Sequence, residues 1–310
     1  AASCAGADLA SVLALLLPPS IGAIAAETKV NANGFPATLA LPDGVQKPPV
    51  VLIISGSGPT DRNGNNPLGV TANYLGKLAK ALEAQKIASL RYDKRGLKGS
   101  PGVTREEDVT IATFMDDAAA VFHWLKQRED IGPIVIVGHS EGGLVALGLA
   151  ERRPDAAGLV LLSSLGRPPA DTLRDQLQAA EEPIRGKALA ILAELEAGKS
   201  VADVPPELMG LFRPSVQPFV RALLATRPAE MLAKLPQPAL VVGGGSDFQV
   251  TRPDFDALAS ARPDVESRWF ERMNHVLTDS MSIRFLNVMT YVSPDLPLTP
   301  GLADAVGAFV

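Results

Sequence analysis

The residues with chemistry to offer are few: a serine set between glycines, three histidines and a scatter of acids in a chain of 310 residues. Gly138-His139-Ser140-Glu141-Gly142 is a G-x-S-x-G pattern. The β-formers Ile134-Val135-Ile136-Val137 precede it, and the helix-like run from Gly143 to Arg153 follows. A strand that reverses so sharply into a helix strains the serine backbone, and side chains on either side of the turn would collide, so glycine flanks it. The hydroxyl then stands clear of the sheet edge, close to the N–H groups and positive dipole of the helix start. A serine that merely begins a helix needs only part of this pattern. The preceding strand, the following helix and the extra Gly143 point instead to a nucleophile.

A serine nucleophile needs a base, and three histidines allow elimination. His139 adjoins Ser140 and reads as a packed turn residue. His123 sits mid-helix beside Trp124. His275, in Glu271-Arg272-Met273-Asn274-His275, follows the last strand-like run and occupies a loop at the strand C-terminal edge, so it is the candidate base. The base in turn needs a carboxylate to fix its tautomer and stabilise the imidazolium. Asp247 follows a strand ending in three glycines and is the favoured partner; Asp254 and Asp256 are rivals in or near the next helix. Ser140, Asp247, His275 is the chain order in which such a triad occurs on an α/β sheet. The negative oxygen formed during acyl transfer needs donors. The Glu141 N–H follows the nucleophile. The Ser57 N–H lies in Ser55-Gly56-Ser57-Gly58, where glycines let the backbone approach closely.

The elements that must position these groups alternate. Strands are expected at 50–55, 87–92, 134–138, 158–164, 239–245 and 265–271, and helices at 70–85, 111–127, 143–153, 254–261 and 301–310. Alternation of this kind gives a mostly parallel sheet with helices on both faces. The rhythm breaks over 165–236, which is helical and proline-rich and reads as an inserted helical cap over the strand ends. The expected organisation is an α/β core of 27–164 and 237–310, the cap, and an N-terminal extension of 1–26. Leu208, Met209, Phe212 and Phe219 in the cap are candidate substrate-pocket residues.

Composition narrows the function classes. Hydrophobic residues make up 46% of the chain, enough for a substantial core. The net charge of −5 leaves no basic footprint for nucleic acid. A single cysteine, Cys4, excludes an intramolecular disulfide, and the histidines lack metal-ligand spacing, so no metal is expected. The run 11–26, apolar and then small-residue, is similar to the end of a signal peptide, although no Lys or Arg occurs before Lys29. The start of the chain reads as a trimmed or mature N-terminus, with a weak lipoprotein-like pattern at Cys4. No apolar stretch is long enough for a membrane span. Oligomeric state leaves no signal in the sequence.

Six stretches together resemble the α/β-hydrolase superfamily, and within it a bacterial serine esterase subgroup of serine-aminopeptidase-like proteins. They are SGSGPTDRNGN (55–65), RYDKRG (91–96), GHSEGG (138–143), VPPELMGLFRPSVQPF (204–219), SDFQV (246–250) and MNHVL (273–277). The resemblance runs from about residue 27 to the end. It implies an α/β-hydrolase fold with a helical cap, ester hydrolysis without a cofactor, and a periplasmic or secreted place rather than a cytoplasmic one. One departure is Leu97-Lys98-Gly99-Ser100, where the subgroup usually continues with a small residue after RYDKRG. The expected substrate is a small-molecule carboxylic ester of short to medium acyl chain. The alternatives are an aminopeptidase or amidase with the same triad, for which Glu181, Glu182, Glu194 and Glu196 would have to clamp an amine, and a non-catalytic binding module. Asp93 and Arg95 read as a local ion pair beside the site, and Asp61-Arg62 likewise as structural.

Overall fold

The computed structural model describes residues 27–310. The extension that carries Cys4 and the 11–26 run therefore lies outside the described residues. All six expected strands are present: β3 (Val50–Ile54), β4 (Ala88–Tyr92), β5 (Ile134–His139), β6 (Gly158–Leu162), β7 (Ala239–Gly244) and β8 (Glu266–Phe270). Two more precede them, β1 (Thr28–Ala32) and β2 (Phe35–Ala40). They form a hairpin whose two-residue turn, Asn33-Gly34, has positive φ at both positions. That is the type I′ geometry asparagine and glycine favour. The sheet order is β1-β2-β4-β3-β5-β6-β7-β8, antiparallel across β1, β2 and β4 and parallel elsewhere.

β3 shows why its sequence is apolar throughout. Successive side chains leave opposite faces of a strand. Val50, Leu52 and Ile54 join one buried cluster, Val51 and Ile53 the other. The first cluster is completed by α2 (Ile111–Lys126) and α3 (Glu141–Arg152), through Phe122, Leu125, Leu144 and Leu147. The second is completed by α1 (Tyr74–Ala84), whose Leu75, Leu78 and Leu82 are fully buried, and by the C-terminal helix 302–309. A sheet buried on both faces requires strands without alternation, which is what the sequence shows. Helix α1 starts at Tyr74 rather than at 70, because Asn73 takes a left-handed conformation that breaks the helix there.

Between β6 and β7 the described chain is helical: α4 (Pro169–Leu177), α5 (Ile184–Glu196), α6 (Met209–Phe212), α7 (Gln217–Leu224) and α8 (Pro228–Lys234). This insertion has a buried core of its own, which includes Ile191, Leu192, Leu195, Leu208, Phe212 and Leu224. Two ion-pair clusters attach it to the sheet domain. Asp254, wholly buried in α9 (Arg252–Ala259), accepts from the N–H groups of Gly166 and Arg167, from the Arg167 guanidinium and from the Thr172 hydroxyl. On the other side Glu106 accepts from Arg213 and from Ser215. α10 (Arg284–Met289) and α11 (Leu302–Phe309) complete the chain. Among the described residues no helix is long and apolar enough to cross a membrane.

Candidate active site

The turn between β5 and α3 is as tight as its glycines imply. Ser140 has φ 55° and ψ −127°, a conformation that side-chain-bearing residues seldom adopt. Such strain costs on the order of 1–3 kcal/mol and must be enforced by its surroundings. A Cβ on Gly138 would meet the oxygen of Gly142 at 2.3 Å, one on Gly142 the oxygens of Ile54 and Ser55 at 2.5 Å, and one on Gly143 the Ser164 hydroxyl at 1.8 Å. The Ser140 N–H donates to the Leu162 oxygen at 3.0 Å, and its carbonyl accepts from Gly143 N–H at 2.9 Å and from the Ser164 hydroxyl at 3.2 Å. The serine itself remains partly accessible.

The structure brings Asp247 and His275 together. The Nδ1 of His275 lies 2.8 Å from Asp247 Oδ2. A carboxylate accepts, so Nδ1 carries the proton and Nε2 is left with its lone pair. The other carboxylate oxygen accepts the N–H groups of Gln249 at 2.8 Å and Val250 at 3.0 Å, which fixes the acid after β7. Both side chains are almost wholly buried. The two loops approach closely because Gly244 and Gly245 admit them: an added Cβ would stand 2.2 Å from the Met273 oxygen and 2.4 Å from the Glu271 oxygen, respectively. The rivals are engaged elsewhere. Asp254 holds the helical insertion, and Asp256 pairs with Arg252 on the surface.

The loop bearing His275 rests on a buried polar network that sequence reasoning missed. Asn274 accepts from the N–H groups of Val276 and Thr278 and donates to Thr290 at 2.6 Å and to Asn287 at 3.3 Å. Asn287 donates to the main-chain oxygen of Ser246 at 2.7 Å, beside Asp247. One network thus ties the His275 loop to the Asp247 loop. His139 is a packed turn residue, as expected, with its ring between Tyr74 and His275. His123 is exposed and bonds Gln127.

The loop after β3 passes against Ser140: a Cβ on Gly56 would stand 3.1 Å from the Ser140 Cβ. Among the described residues the next N–H, that of Ser57, meets no acceptor. Thr60 donates to the Ser57 oxygen at 2.7 Å, and Ser55 donates to the Thr60 oxygen at 3.1 Å, so the loop is internally braced. Glu141 is buried at the start of α3. Burial pushes its carboxyl pKa up, while Lys94 and the Ser57 side chain pull it down.

Several expectations change. Asp93 and Arg95 do not pair with each other. Asp93 binds Arg62 of the β3 loop, and Arg95 binds Asp117 of α2. Between them Lys94 turns inward, buried, and donates to the Gly56 oxygen. Sequence reading singled out its two neighbours and passed over it. Of the pocket candidates, Leu208 and Phe212 are buried in the insertion's own core, which leaves them no free surface for a substrate; Met209 is exposed. Phe219 packs edge-on against Phe114, ring centroids 5.9 Å apart, on the side of Lys94. The glutamates offered as an amine clamp are mostly paired: Glu182 with Arg185, Glu194 with Lys199 and Glu196 with Arg174. Among the described residues no cluster of three or more His, Cys, Asp or Glu side chains could hold a metal ion.

The fold has counterparts among known proteins. Esterase EstD of Thermotoga maritima is 28% identical over 263 residues, 81% of this chain and 60% of that protein. An uncharacterized Mycobacterium tuberculosis protein is 33% identical over 153 residues, 48% of this chain and 52% of its own length. The chain therefore spans a little over half the length of these curated relatives. Among solved structures, Est1E from Butyrivibrio proteoclasticus superposes with a TM-score of 0.57 at 19% identity, covering 91% of this chain and 96% of its own. Proline iminopeptidase from Mycobacterium smegmatis gives 0.53 at 16% identity, covering 92% and 97%. These two likenesses are of fold. The profile of the alpha/beta hydrolase family matches residues 50–287, and the chain belongs to that family.

Proposed function

We propose that this chain is a serine carboxylesterase. The observation that carries the reading is the Asp247–His275 hydrogen bond of 2.8 Å, which leaves Nε2 of His275 as a base on the sheet edge that also carries the strained Ser140. Ser140 Oγ attacks the ester carbonyl while His275 Nε2 takes its proton. Asp247 holds the imidazolium that results. The tetrahedral oxyanion is received by the N–H groups of Ser57 and Glu141. His275 returns the proton to the departing alcohol, leaving Ser140 acylated. Water, deprotonated by His275, then attacks the acyl-enzyme; as the second tetrahedral intermediate collapses, His275 returns that proton to Ser140 Oγ and the acid is released. The chain's own residues supply every proton transfer in this scheme.

The helical insertion acts as the cap, and the Phe114–Phe219 pair forms an apolar wall for the acyl chain. This supports short- to medium-chain esters as substrates. The 11–26 run supports export, to the periplasm or the medium.

Hydrolysis of p-nitrophenyl esters from acetate to palmitate, run beside aminoacyl p-nitroanilides, tests the reading. Turnover of the short and medium esters with no comparable amidase activity is expected. Preferential hydrolysis of the anilides would replace the esterase with a peptidase, although three of the four glutamates that could clamp an amine are already paired.

A further inference from the structure

Lys94 is a buried charge that the scheme above leaves without a role. It follows the C-terminal end of β4 and is 6% exposed. β4, β3 and β5 are adjacent and parallel, so Lys94, Gly56 and Ser140 leave three neighbouring strand ends. The ammonium donates to the Gly56 oxygen and lies 5.6 Å from the centroid of the Phe114 ring. Desolvating an ammonium is unfavourable, and a methionine would fill this space without that penalty. The charge needs a reason.

The peptide unit between Gly56 and Ser57 supplies one. It carries both the carbonyl that Lys94 holds and the N–H assigned to the oxyanion. The unit is trans, since the only cis bond among the described residues is Glu182–Pro183. In a trans peptide the C=O and N–H point in opposite directions within one plane. Fixing the oxygen on the inner side therefore turns the Ser57 N–H outward, toward the cleft above Ser140. A charge-assisted bond to the oxygen also polarises the unit and strengthens its N–H as a donor. The N–H of Glu141, buried at the start of α3, is the second donor assigned to the oxyanion.

We propose that Lys94 is the positioning residue of the oxyanion hole, holding and polarising the Gly56–Ser57 peptide for the tetrahedral intermediate. The proposal rests on the esterase reading above. A lysine that served only as a loop anchor would affect folding and substrate binding. One that tunes the oxyanion donor acts on the transition state alone.

The test uses Lys94→Met on the full chain, with p-nitrophenyl butyrate as substrate and butylboronic acid as a tetrahedral mimic. Loss of one oxyanion donor costs about 10²–10³ in kcat, so loss of its support should cost about 10- to 100-fold, with KM changed by less than about twofold. Boronate affinity should fall in proportion to kcat/KM while the thermal midpoint identifies a folded protein. Lys94→Gln, which keeps a donor but no charge, is the second variant and should fall between. A folded variant of either kind with wild-type kcat, or with boronate affinity unchanged, overturns the proposal. Should neither fold, the Ser57 amide resonance of the wild type carries the test: it must shift as Lys94 titrates, and a resonance that does not move overturns the proposal. Ser140→Ala separates the two claims. Full activity in that variant defeats the esterase reading, whereas a dead Ser140→Ala beside a fast Lys94→Met defeats only the role given to Lys94.

Discussion

His139 Nε2 lies 2.8 Å from the main-chain oxygen of His275, and its Nδ1 lies 3.2 Å from the Tyr74 hydroxyl. A carbonyl oxygen only accepts, so Nε2 carries the proton and the tyrosine donates to Nδ1. The residue before Ser140 thus holds the backbone of His275. His139→Phe keeps an aromatic ring but leaves both the His275 carbonyl and the Tyr74 hydroxyl unpaired. We predict a loss of about 1–3 kcal/mol in urea unfolding, together with a fall in kcat larger than any change in KM.

The same histidine makes a pH prediction. Burial, and then the neighbouring His275, push the His139 pKa from 6.5 down to about 3. Between those values the unfolded chain binds a proton that the folded chain does not. Stability therefore falls as pH drops from 6.5 toward 3, and is insensitive to His139 above 6.5. Unfolding midpoints measured against pH in wild type and His139→Phe should differ in slope across that interval.

Lys94 gives the opposite limb. Burial lowers its pKa from 10.5 to about 8, with Glu141 opposing the shift. The groups facing it are the Glu141 carboxyl, the neutral Gly56 carbonyl and the Phe114 ring. Between pH 8 and 10.5 the unfolded state holds the extra proton, so Lys94's contribution to stability rises with pH there. Activity should fall as pH rises through about 8, where the ammonium that polarises the Ser57 peptide is lost. A kcat–pH profile with a basic limb near 8 in wild type and none in Lys94→Met is the expected result.

Gly142 cannot take a side chain. Its added Cβ would stand 2.5 Å from the oxygens of Ile54 and Ser55, both main-chain atoms that cannot rotate away. Gly142→Ala should cost about 1–3 kcal/mol or more in denaturant unfolding and displace Ser140 enough to lower kcat.

These sites divide sharply in how far they could be read in advance. Ser140 was legible because the steric demand of its turn is local and leaves its mark in Gly138 and Gly142. His275 followed from having few histidines, and Asp247 from its place after a glycine-ended strand. The buried strands were legible because burial on both faces removes the polar alternation. Lys94 was hidden because its meaning lies in direction: three consecutive charged residues look alike until the fold turns one inward and the other two toward Arg62 and Asp117. That Leu208 and Phe212 join the insertion's own core was hidden for a related reason, since apolar character does not say which of two cores a side chain will join. The β1–β2 hairpin carried its Asn33-Gly34 signal openly, but its strands alternate weakly. The Asn274–Asn287–Thr290 network joins residues from a loop and the end of a later helix, and no local spacing marks it.

The insertion's attachment offers a further check. Asp254 is wholly buried and binds Gly166, Arg167 and Thr172 at the point where the insertion begins. Asp254→Ala leaves the Gly166 N–H and the Thr172 hydroxyl without their acceptor, while Arg167 keeps Asp175, and should cost about 1–3 kcal/mol. Limited proteolysis should then cut within 169–234 first, and the ester chain-length profile should broaden.

The central claim is that Ser140 is the acylated nucleophile. The most direct measurement is mass spectrometry of the protein after reaction with a fluorophosphonate, with the adduct located by peptide mapping. The account predicts one adduct on Ser140, none in Ser140→Ala, and loss of p-nitrophenyl butyrate turnover in step with labelling. An adduct on another residue, or undiminished turnover by the labelled protein, would contradict it.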